Sequence, residues 1–481
     1  MKRRSLGINA LLSGFQNLLN IVFPLITFPY VSRILSVSGM GKYNFSNSII
    51  SYFLLIAGLG INSYAVREGA SLRKSRRELS EFASKVFTIN LISTIFSYIL
   101  LGIILFFFSD LHKYKIAILI FSIQILFTTL GVNWIYTIFE EYAYITVRNI
   151  LFKIISMLLL FVFVKQSSDY LKYVWISVFA STGSYVLNFI YAKKFCDLKL
   201  NFNFDWDRFW KPILIIFASN IAVQIYVNSD TTILGFMKSN YIVGIYGVSV
   251  KIYSLVANLL WGTLLVTVPR LSMLLGNGET REYHYLLEKL INMVILIVLP
   301  TMVGLFMLSP EIVTIIASYK YIRAAYSLRI LCFALIFKIF GTILNDCVLL
   351  PAKRENKLLL SYIIAATINI IFNFILIPTF SENGSAFTTL IAEFLAMIIN
   401  LYYCRDLITN DLKSKKTINN FLTVLIACSS ICLICLLGEK FISGLVFRLI
   451  IIIPCSILCY TVILFLLKNE FISYVFNLGT K

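Results

Sequence analysis

The chain has 481 residues, of which 59% are hydrophobic and 14% are charged. Soluble globular proteins are about half apolar and about a quarter charged, and a single core stops growing at roughly 250–300 residues. The composition therefore excludes a soluble enzyme, a secreted disulfide scaffold and a disordered chain. The formal net charge is +19, but the basic residues form short clusters between apolar stretches, which is typical of cytoplasmic loops and not of a nucleic-acid-binding surface. We expect an all-α, polytopic integral membrane protein with no nucleic-acid partner.

The N-terminal segment predicts a membrane helix and not a cleaved signal peptide. A basic start is followed by an apolar stretch that runs from Leu6 to about Ile34. That stretch is longer than the apolar region of a signal peptide, which has about 7–15 residues, and it contains no small-residue cleavage motif. The first membrane span therefore begins almost at the N-terminus.

Charged and turn residues divide the chain into about fourteen apolar segments, each close to the roughly 20 residues that cross a bilayer. The segments are 7–32, 43–66, 84–108, 115–138, 147–164, 171–192, 211–236, 243–269, 288–308, 325–350, 358–378, 385–404, 419–437 and 443–467. With the N-terminus inside, the inner ends and loops hold most of the 42 lysines and arginines. This bias predicts that both termini lie in the cytoplasm.

An internal repeat relates the two halves of the chain. Five residues in and just before the second span match five residues of the eighth span at one constant offset, and Arg67 matches Arg270 at the same offset. The matched pairs are Gly41 with Gly244, Tyr43 with Tyr246, Ser46 with Ser249, Ile49 with Ile252 and Ser51 with Ser254. Because six spans separate the partners, the two halves share one orientation.

The repeat predicts twelve core helices, arranged as two parallel six-helix lobes around a central cavity, the architecture of alternating-access transporters. The expected domains are an N-terminal lobe over 1–196, a C-terminal lobe over 197–405, and an additional C-terminal helix pair with a tail over 406–481. Two lobes in one chain complete such a cavity, so we expect a monomer.

Motifs for nucleotide, metal or nucleophile chemistry are missing from the sequence. No GxxxxGK[ST] pattern occurs, and the two histidines cannot form an HExxH site. Cys432 and Cys435 form a CxxC inside an apolar run without a nearby charge, which favours simple packing over redox or zinc chemistry. We therefore expect a transporter that is not an enzyme and that carries no cofactor or metal.

Acidic and basic residues within the spans are candidates for coupling or gating, because charges inside a bilayer are costly. Asp230 and Lys251 lie at similar depth in consecutive spans, where they form either a gate or coupling site or a static ion pair. Glu393 has no charged neighbour in its own span. It is a candidate for coupling to protons or cations, and the alternative is a hydrogen bond to a neighbouring helix.

Three arginines flank spans in positions that suit an anionic ligand. Arg33, Arg67 and Arg270 carry guanidinium forks, which bind phosphate groups in a bidentate manner. The alternative for Arg67 and Arg270 is the general enrichment of arginine at cytoplasmic ends. Arg33 lies on the predicted outer side, against that bias.

Most of residues 1–404, and most specifically the first seventy, resemble the Wzx-type polysaccharide-repeat-unit flippases of the multidrug, oligosaccharidyl-lipid and polysaccharide exporter superfamily. The similar stretches are 20–35 (NIVFPLITFPYVSRIL), 41–53 (GKYNFSNSIISYF) and 59–68 (LGINSYAVRE). Further similarities are Trp134 with Glu140, the segment around Asp230, Val243–Tyr246 with Lys251, and 382–387 with Glu393.

This resemblance implies a flippase of the bacterial cytoplasmic membrane. It would move undecaprenyl-diphosphate-linked oligosaccharide repeat units from the inner to the outer leaflet, for O-antigen or capsule assembly. Its partners would be this lipid-linked oligosaccharide, membrane lipid, and polysaccharide polymerase and chain-length proteins. The resemblance assigns diphosphate and sugar binding in the cavity to Arg33, Arg67, Arg270 and Lys251, and coupling to protons or sodium, or gating, to Asp230 and Glu393.

Two rival functions belong to the same superfamily. A drug or cation antiporter predicts an acid-dominated cavity, whereas the repeat-related pair here is Arg67 and Arg270. A flippase for the peptidoglycan precursor would have a similar topology. A polysaccharide polymerase or ligase, which is an enzyme, normally needs a large outer loop, and the predicted outer loops are short.

Overall fold

The computed structural model describes residues 6–264, 267–412 and 414–471, and these contain helices and turns but no strand. The α-helices are α1 (Leu6–Ile34), α2 (Val37–Gly58), α3 (Ile61–Leu72), α4 (Arg76–Phe107), α5 (Lys115–Gly131), α6 (Asn133–Ile138), α7 (Tyr142–Phe163), α8 (Tyr170–Thr182), α9 (Tyr185–Ala192), α10 (Lys211–Met237), α11 (Asn240–Leu264), α12 (Val268–Gly276), α13 (Thr280–Met307), α14 (Ser309–Ala317), α15 (Ala324–Ile343), α16 (Glu355–Leu412), α17 (Lys415–Phe441) and α18 (Leu445–Leu466). The chain forms two compact units, Met1–Gly244 and Ile245–Lys481. The all-α class is confirmed.

Among the described residues, twelve helical stretches are long and apolar enough to cross a membrane. One of them, Glu355–Ile408, contains two of the predicted spans, and the first predicted span lies in α1. The chain is therefore a multi-pass membrane protein. Fourteen spans and cytoplasmic termini stay predictions.

Two helices of the first unit break where the sequence predicts continuous spans. Leu59 and Gly60 both adopt the left-handed conformation between α2 and α3, with φ of 44° and 72°. Val132 does the same between α5 and α6, with φ of 37°. Such a conformation cannot continue a right-handed helix. The chain therefore restarts as a short helix in each place.

The second unit is organised around a helical hairpin. Within α16, Ser381 has non-helical angles, with φ of 52°, and the Thr388 hydroxyl donates to Asn373 Oδ1 at 2.9 Å. In a straight helix these two residues would lie about 22 Å apart. The chain therefore reverses at Ser381 and forms two antiparallel arms. We call residues 355–380 the first arm and residues 382–412 the second arm.

The C-terminal helices α17 and α18 are attached to α13 by a chain of buried amides. Asn420 Nδ2 donates to Asn292 Oδ1 at 2.9 Å, and Asn469 Nδ2 donates to Asn420 Oδ1 at 2.8 Å. The Tyr460 hydroxyl donates to the Leu296 carbonyl at 2.8 Å. Polar side chains between membrane helices act in this way as adhesive groups. The additional helix pair is therefore an integral part of the second unit.

Two repeat-related glycines approach each other symmetrically within the first unit. A Cβ atom added to Gly41 would lie 1.7 Å from the Asn240 carbonyl oxygen, and one added to Gly244 would lie 2.1 Å from the Val37 carbonyl oxygen. Asn240 precedes Gly244 by as many residues as Val37 precedes Gly41, so the two contacts are equivalent. Small residues permit this close backbone approach of membrane helices. The reciprocal contact supports the register of the repeat.

Candidate functional site

The three arginines that were predicted from the sequence to bind an anionic ligand all have exposed side chains. Arg33 lies in the last turn of α1, Arg67 in α3 and Arg270 in α12. Arg67 Nε donates to the carboxylate of its neighbour Glu68 at 3.0 Å. α3 and α12 are both short, and their buried residues leave Arg67 and Arg270 on the opposite, open face. Their equivalent placement agrees with the repeat.

The predicted coupling residues lie in different units. Asp230 is buried in α10 of the first unit, whereas Lys251 is half-buried in α11 and belongs to the second unit. Burial of a carboxylate within an apolar helix is the behaviour expected of a functional group in a membrane protein. Their roles stay predictions.

The structure gives Glu393, which has no charged neighbour in its own span, a charged partner on another helix. Lys338 Nζ donates to Glu393 Oε1 at 3.2 Å, and the Tyr253 hydroxyl donates to the same oxygen at 3.5 Å. Lys338 Nζ also lies 5.7 Å from the centre of the Tyr253 ring. The pair joins α15 to the second arm of α16. Sequence alone cannot match residues that lie far apart in the chain, and for that reason this partner was not anticipated.

A polar cavity of about 450 Å³ lies within the first unit. Its volume is in the range of small-molecule sites, roughly 300–1,000 Å³. The lining contains cationic, amide, hydroxyl and phenol groups and no acidic side chain: Asn62, Asn133, Thr137, Tyr142, Ile145, Arg148, Asn149, Lys153, Ala180, Ser181 and Tyr185. The cavity is therefore suited to an anionic, hydrogen-bonding ligand.

The two helix breaks position two of these amide side chains in the cavity lining. Asn62 lies in the first turn of α3, just after the break at Leu59 and Gly60, and Asn133 begins α6, just after Val132. In membrane transporters, irregular backbone is tolerated where it lines a cavity, and discontinuous helices commonly form substrate sites. The two breaks in the first unit thus supply polar groups to one cavity.

Arg148 is the main cation of the cavity, and amide oxygens hold it in place. It is 6% exposed, and its guanidinium donates to the side-chain oxygens of three asparagines. Arg148 Nη2 donates to Asn149 at 3.0 Å and to Asn133 at 3.5 Å, and Arg148 Nη1 donates to Asn188. Asn188 is in turn oriented by donating to the Gly131 carbonyl at 3.1 Å. None of the described carboxylates forms an ion pair with Arg148.

Aromatic rings enclose the same guanidinium. Its Cζ atom lies 5.7 Å from the centre of the Tyr144 ring and 5.9 Å from that of Tyr185, distances at which rings attract cations. Tyr144 also stacks on Tyr191 with ring centres 4.4 Å apart. The rings and amides stabilise the positive charge without neutralising it. A second cation, Lys153, lines the cavity one and a half turns further along α7.

Sequence reasoning did not single out Arg148 or Lys153. Both lie near the predicted inner end of a span, where basic residues are common. A usable signal was present, since α7 contains two cations and one amide side chain but no acidic residue. The amides that hold Arg148 come from other helices, however, and their arrangement was not visible in the sequence.

Comparison with known proteins identifies relatives that match about four fifths of the chain. Residues 6–275, more than half of the chain, match the family described as Polysaccharide biosynthesis protein. The chain is 22% identical over 391 residues to the "Putative O-antigen transporter" of Shigella dysenteriae, covering 79% of this chain and 96% of the relative. It is 23% identical over 398 residues to the "Capsular polysaccharide biosynthesis protein CapF" of Staphylococcus aureus, covering 80% and 96%.

Solved structures of two transporters have a similar fold. A lipid II flippase MurJ in an inward closed conformation matches with a TM-score of 0.75 and 18% identity, over 97% of this chain and 99% of that one. An inward-facing multidrug resistance MATE transporter of the MOP superfamily matches with a TM-score of 0.63 and 15% identity, over 82% and 95%. At these identities the similarity concerns the fold.

Proposed function

Because the chain belongs to the polysaccharide biosynthesis protein family, within the multidrug, oligosaccharidyl-lipid and polysaccharide exporter superfamily, we propose that it flips undecaprenyl-diphosphate-linked oligosaccharide repeat units. Movement would run from the inner to the outer leaflet of a bacterial cytoplasmic membrane, by alternating access, for surface polysaccharide assembly. The relatives support a membrane transporter of this superfamily. The lipid-linked substrate is our proposal.

The buried Arg148 is the observation that carries the proposal. A desolvated guanidinium favours an anion strongly, because removal from water strengthens its attraction to negative charge. Here neutral amides hold the guanidinium and leave its charge in place, so a diphosphate can approach without displacing a carboxylate. Asparagine, serine and tyrosine groups around the cation supply the hydrogen bonds and ring faces that sugars need. The cavity thus combines groups for both parts of a lipid-linked oligosaccharide.

A drug or cation antiporter agrees less well with this cavity. An organic cation would meet two like charges, Arg148 and Lys153, and no acidic group in the lining. Like charges in a site of low dielectric constant repel a ligand. The acidic residues Asp230 and Glu393 lie outside this lining. Anion binding is therefore the interpretation that the cavity supports.

The predicted roles of Arg33, Arg67, Arg270 and Lys251 in diphosphate binding belong to the same proposal, as do those of Asp230 and Glu393 in coupling or gating. Exposed arginines can attract a diphosphate from the aqueous side, whereas Arg148 holds it in a drier site. Lys338 is now part of the proposed coupling site, since it pairs with Glu393.

The proposal is tested with Arg148 variants in proteoliposomes. A fluorescent polyprenyl-diphosphate oligosaccharide is supplied, and translocation is scored by access of an external sugar-binding reagent. We expect Arg148→Ala to abolish translocation and Arg148→Lys to slow it at least about tenfold, because an ammonium cannot satisfy three amides at fixed angles. Arg76→Ala, which removes an exposed arginine paired with Asp197, is the control and should keep the wild-type rate.

Wild-type translocation by a folded Arg148→Ala protein would remove the cavity from the substrate path. Thermal melting and gel filtration of each variant establish that it is folded. Transport of a lipid-linked peptidoglycan precursor but of no repeat unit would assign the protein to that rival activity. Proton-linked efflux of organic cations would assign it to the antiporters.

A further inference from the structure

The three amides around Arg148 are held in different ways. Asn188 is fully buried and lies outside the cavity lining, whereas Asn133 and Asn149 line the cavity. Asn188 Nδ2 donates to the Gly131 carbonyl and to Asn133 Oδ1, both at 3.1 Å, so these two amides are fixed by each other and by the backbone. Asn149 follows Arg148 directly in α7 and is only half-buried. Its side chain therefore belongs to the open side of the guanidinium.

Asn149 occupies the edge of Arg148 at which an anion would bind. Its Oδ1 atom accepts hydrogen bonds from Arg148 Nε at 3.3 Å and from Arg148 Nη2 at 3.0 Å. These two N–H groups project from one edge of the guanidinium plane, and carboxylates and phosphates bind such an edge with two oxygens. Here a single amide oxygen takes that position. Asn149 thus imitates, without a charge, the ligand that the cavity is suited to bind.

The other hydrogen bonds of Arg148 leave little of the guanidinium for a ligand. Nη1 donates to Asn188, and Nη2 donates to Asn133 at 3.5 Å as well as to Asn149. Together with the Nε contact, these bonds use most of the five N–H groups that a guanidinium has. A phosphate can therefore bind two N–H groups at once only where one amide moves away. Asn149, which is not held from behind, is the amide that can do so.

The chemistry of this contact favours displacement of the amide by a phosphate. Hydrogen bonds from a guanidinium to an anion are roughly twice as strong as those between neutral groups. In the empty cavity, the amide satisfies N–H groups that would be costly to leave buried without a partner. A carboxylate in the same place would form an ion pair that a diphosphate could hardly displace, because opposite charges attract strongly away from water. A neutral amide therefore protects the site and keeps binding reversible.

From these contacts we propose that Asn149 is a displaceable placeholder in the anion site. Its amide occupies the edge of Arg148 when no anion is bound, and a phosphate group of the ligand takes its place. The half-buried side chain can turn into the cavity of about 450 Å³ that it lines. Asn149 is thus a positioning residue that acts through Arg148 and sets affinity by competing with the ligand. The choice of a diphosphate as that ligand rests on the proposed function.

Isothermal titration calorimetry with inorganic diphosphate tests the placeholder on the purified full-length protein in detergent. The binding that Arg148→Ala removes is the component assigned to this site. We expect Asn149→Ala to strengthen that component about three- to tenfold, because the competing hydrogen bonds are lost. Asn149→Asp, which has nearly the same shape, should weaken it at least about tenfold, because its carboxylate pairs with Arg148 and repels the ligand. Asn203→Asp, the same charge change at an exposed position outside the cavity lining, is the control and should keep the wild-type affinity.

Changes of opposite sign distinguish a placeholder from a merely structural residue, whose loss would weaken binding in both variants. Unchanged or weakened binding in Asn149→Ala would overturn the placeholder, as would the absence of Arg148-dependent binding in both Asn149→Ala and the wild type. Thermal melting establishes that each variant is folded. If Asn149→Ala does not fold, Asn149→Ser, whose hydroxyl is too short to reach both N–H groups, replaces it. Diphosphate binding of the expected pattern without translocation of the lipid-linked oligosaccharide would count against the proposed function and leave the placeholder in place.

Discussion

At the scale of single residues, burial separates two kinds of arginine that the sequence presents alike. Arg67 has a 63% exposed side chain beside Glu68, whereas Arg148 is 6% exposed among neutral amides. Solvent screens the first charge and leaves the second strong. The sequence predicted cations for an anionic substrate, but it could not rank them, because ranking depends on contacts with distant segments. The Lys338 partner of Glu393 was hidden for the same reason.

A single carboxylate outside the spans gives a pH-dependent test of the fold. Asp169 Oδ2 accepts from the backbone N–H groups of Lys165 and Gln166 at 3.0 Å each, and Oδ1 pairs with Lys172 at 2.9 Å. The Lys172 contact, followed by the two backbone donors, lowers the pKa of Asp169 from 3.8 to about 2. The charged form is thus favoured in the folded protein.

This depressed pKa predicts how stability changes with pH. The stabilisation by Asp169 is fully present above the unfolded-state pKa of 3.8 and is lost as pH falls through about 2. We expect Asp169→Asn to melt at a lower temperature than the wild type at pH 6, with the difference shrinking as pH falls below 3.8. Thermal unfolding in detergent from pH 6 to pH 2.5 measures this. A gap that is constant over that range would contradict the assignment.

At the scale of elements, the sequence predicted the spans better than their interruptions. The apolar segments 43–66 and 115–138 were predicted as continuous spans, although Gly58 and Gly60 flank Leu59 and Gly131 precedes Val132. Leu59 and Val132 are not glycine, and such residues adopt a positive φ only where contacts with the surrounding structure hold the backbone in that conformation. Both are buried in the core of the first unit. Tertiary packing therefore fixes the helix breaks that line the cavity, and the hydropathy of the sequence does not reveal this packing.

The glycine crossing of α2 with the start of α11 predicts equal sensitivity at two positions. Gly41→Ala and Gly244→Ala would each drive a methyl group into a backbone carbonyl, so we expect both to be destabilised by about 1–3 kcal/mol. Gly102→Ala in α4 is the matched control, since nothing lies within 4 Å of its added Cβ. That change should be neutral or stabilising by up to about 1 kcal/mol.

Thermal unfolding in detergent compares the three glycine variants. Similar losses for Gly41→Ala and Gly244→Ala are the outcome that a symmetric contact requires. A loss at one position alone would show that the two contacts are not equivalent in solution. The register of the repeat was predicted from the sequence, whereas the close backbone contacts of Gly41 and Gly244 were not.

At the scale of the whole molecule, the repeat assigns one exposed arginine to each half of the chain. Arg67 in α3 and Arg270 in α12 occupy matching positions on short helices, each in a different unit. The predicted lobes 1–196 and 197–405 follow this repeat and stay a prediction, as does the tail region 406–481. Each of the two positions stays a predicted contact for a diphosphate.

If both predicted contacts serve the substrate, we expect a graded response of transport. Arg67→Ala and Arg270→Ala should each reduce translocation of a polyprenyl-diphosphate oligosaccharide, and the double variant should abolish it without loss of folded protein, since both side chains are exposed. Arg67→Lys with Arg270→Lys should retain most of the rate, because exposed sites act mainly through charge. Arg148→Lys should not, because its site demands the guanidinium geometry. Wild-type rates in the double alanine variant would leave Arg148 as the main contact for the diphosphate.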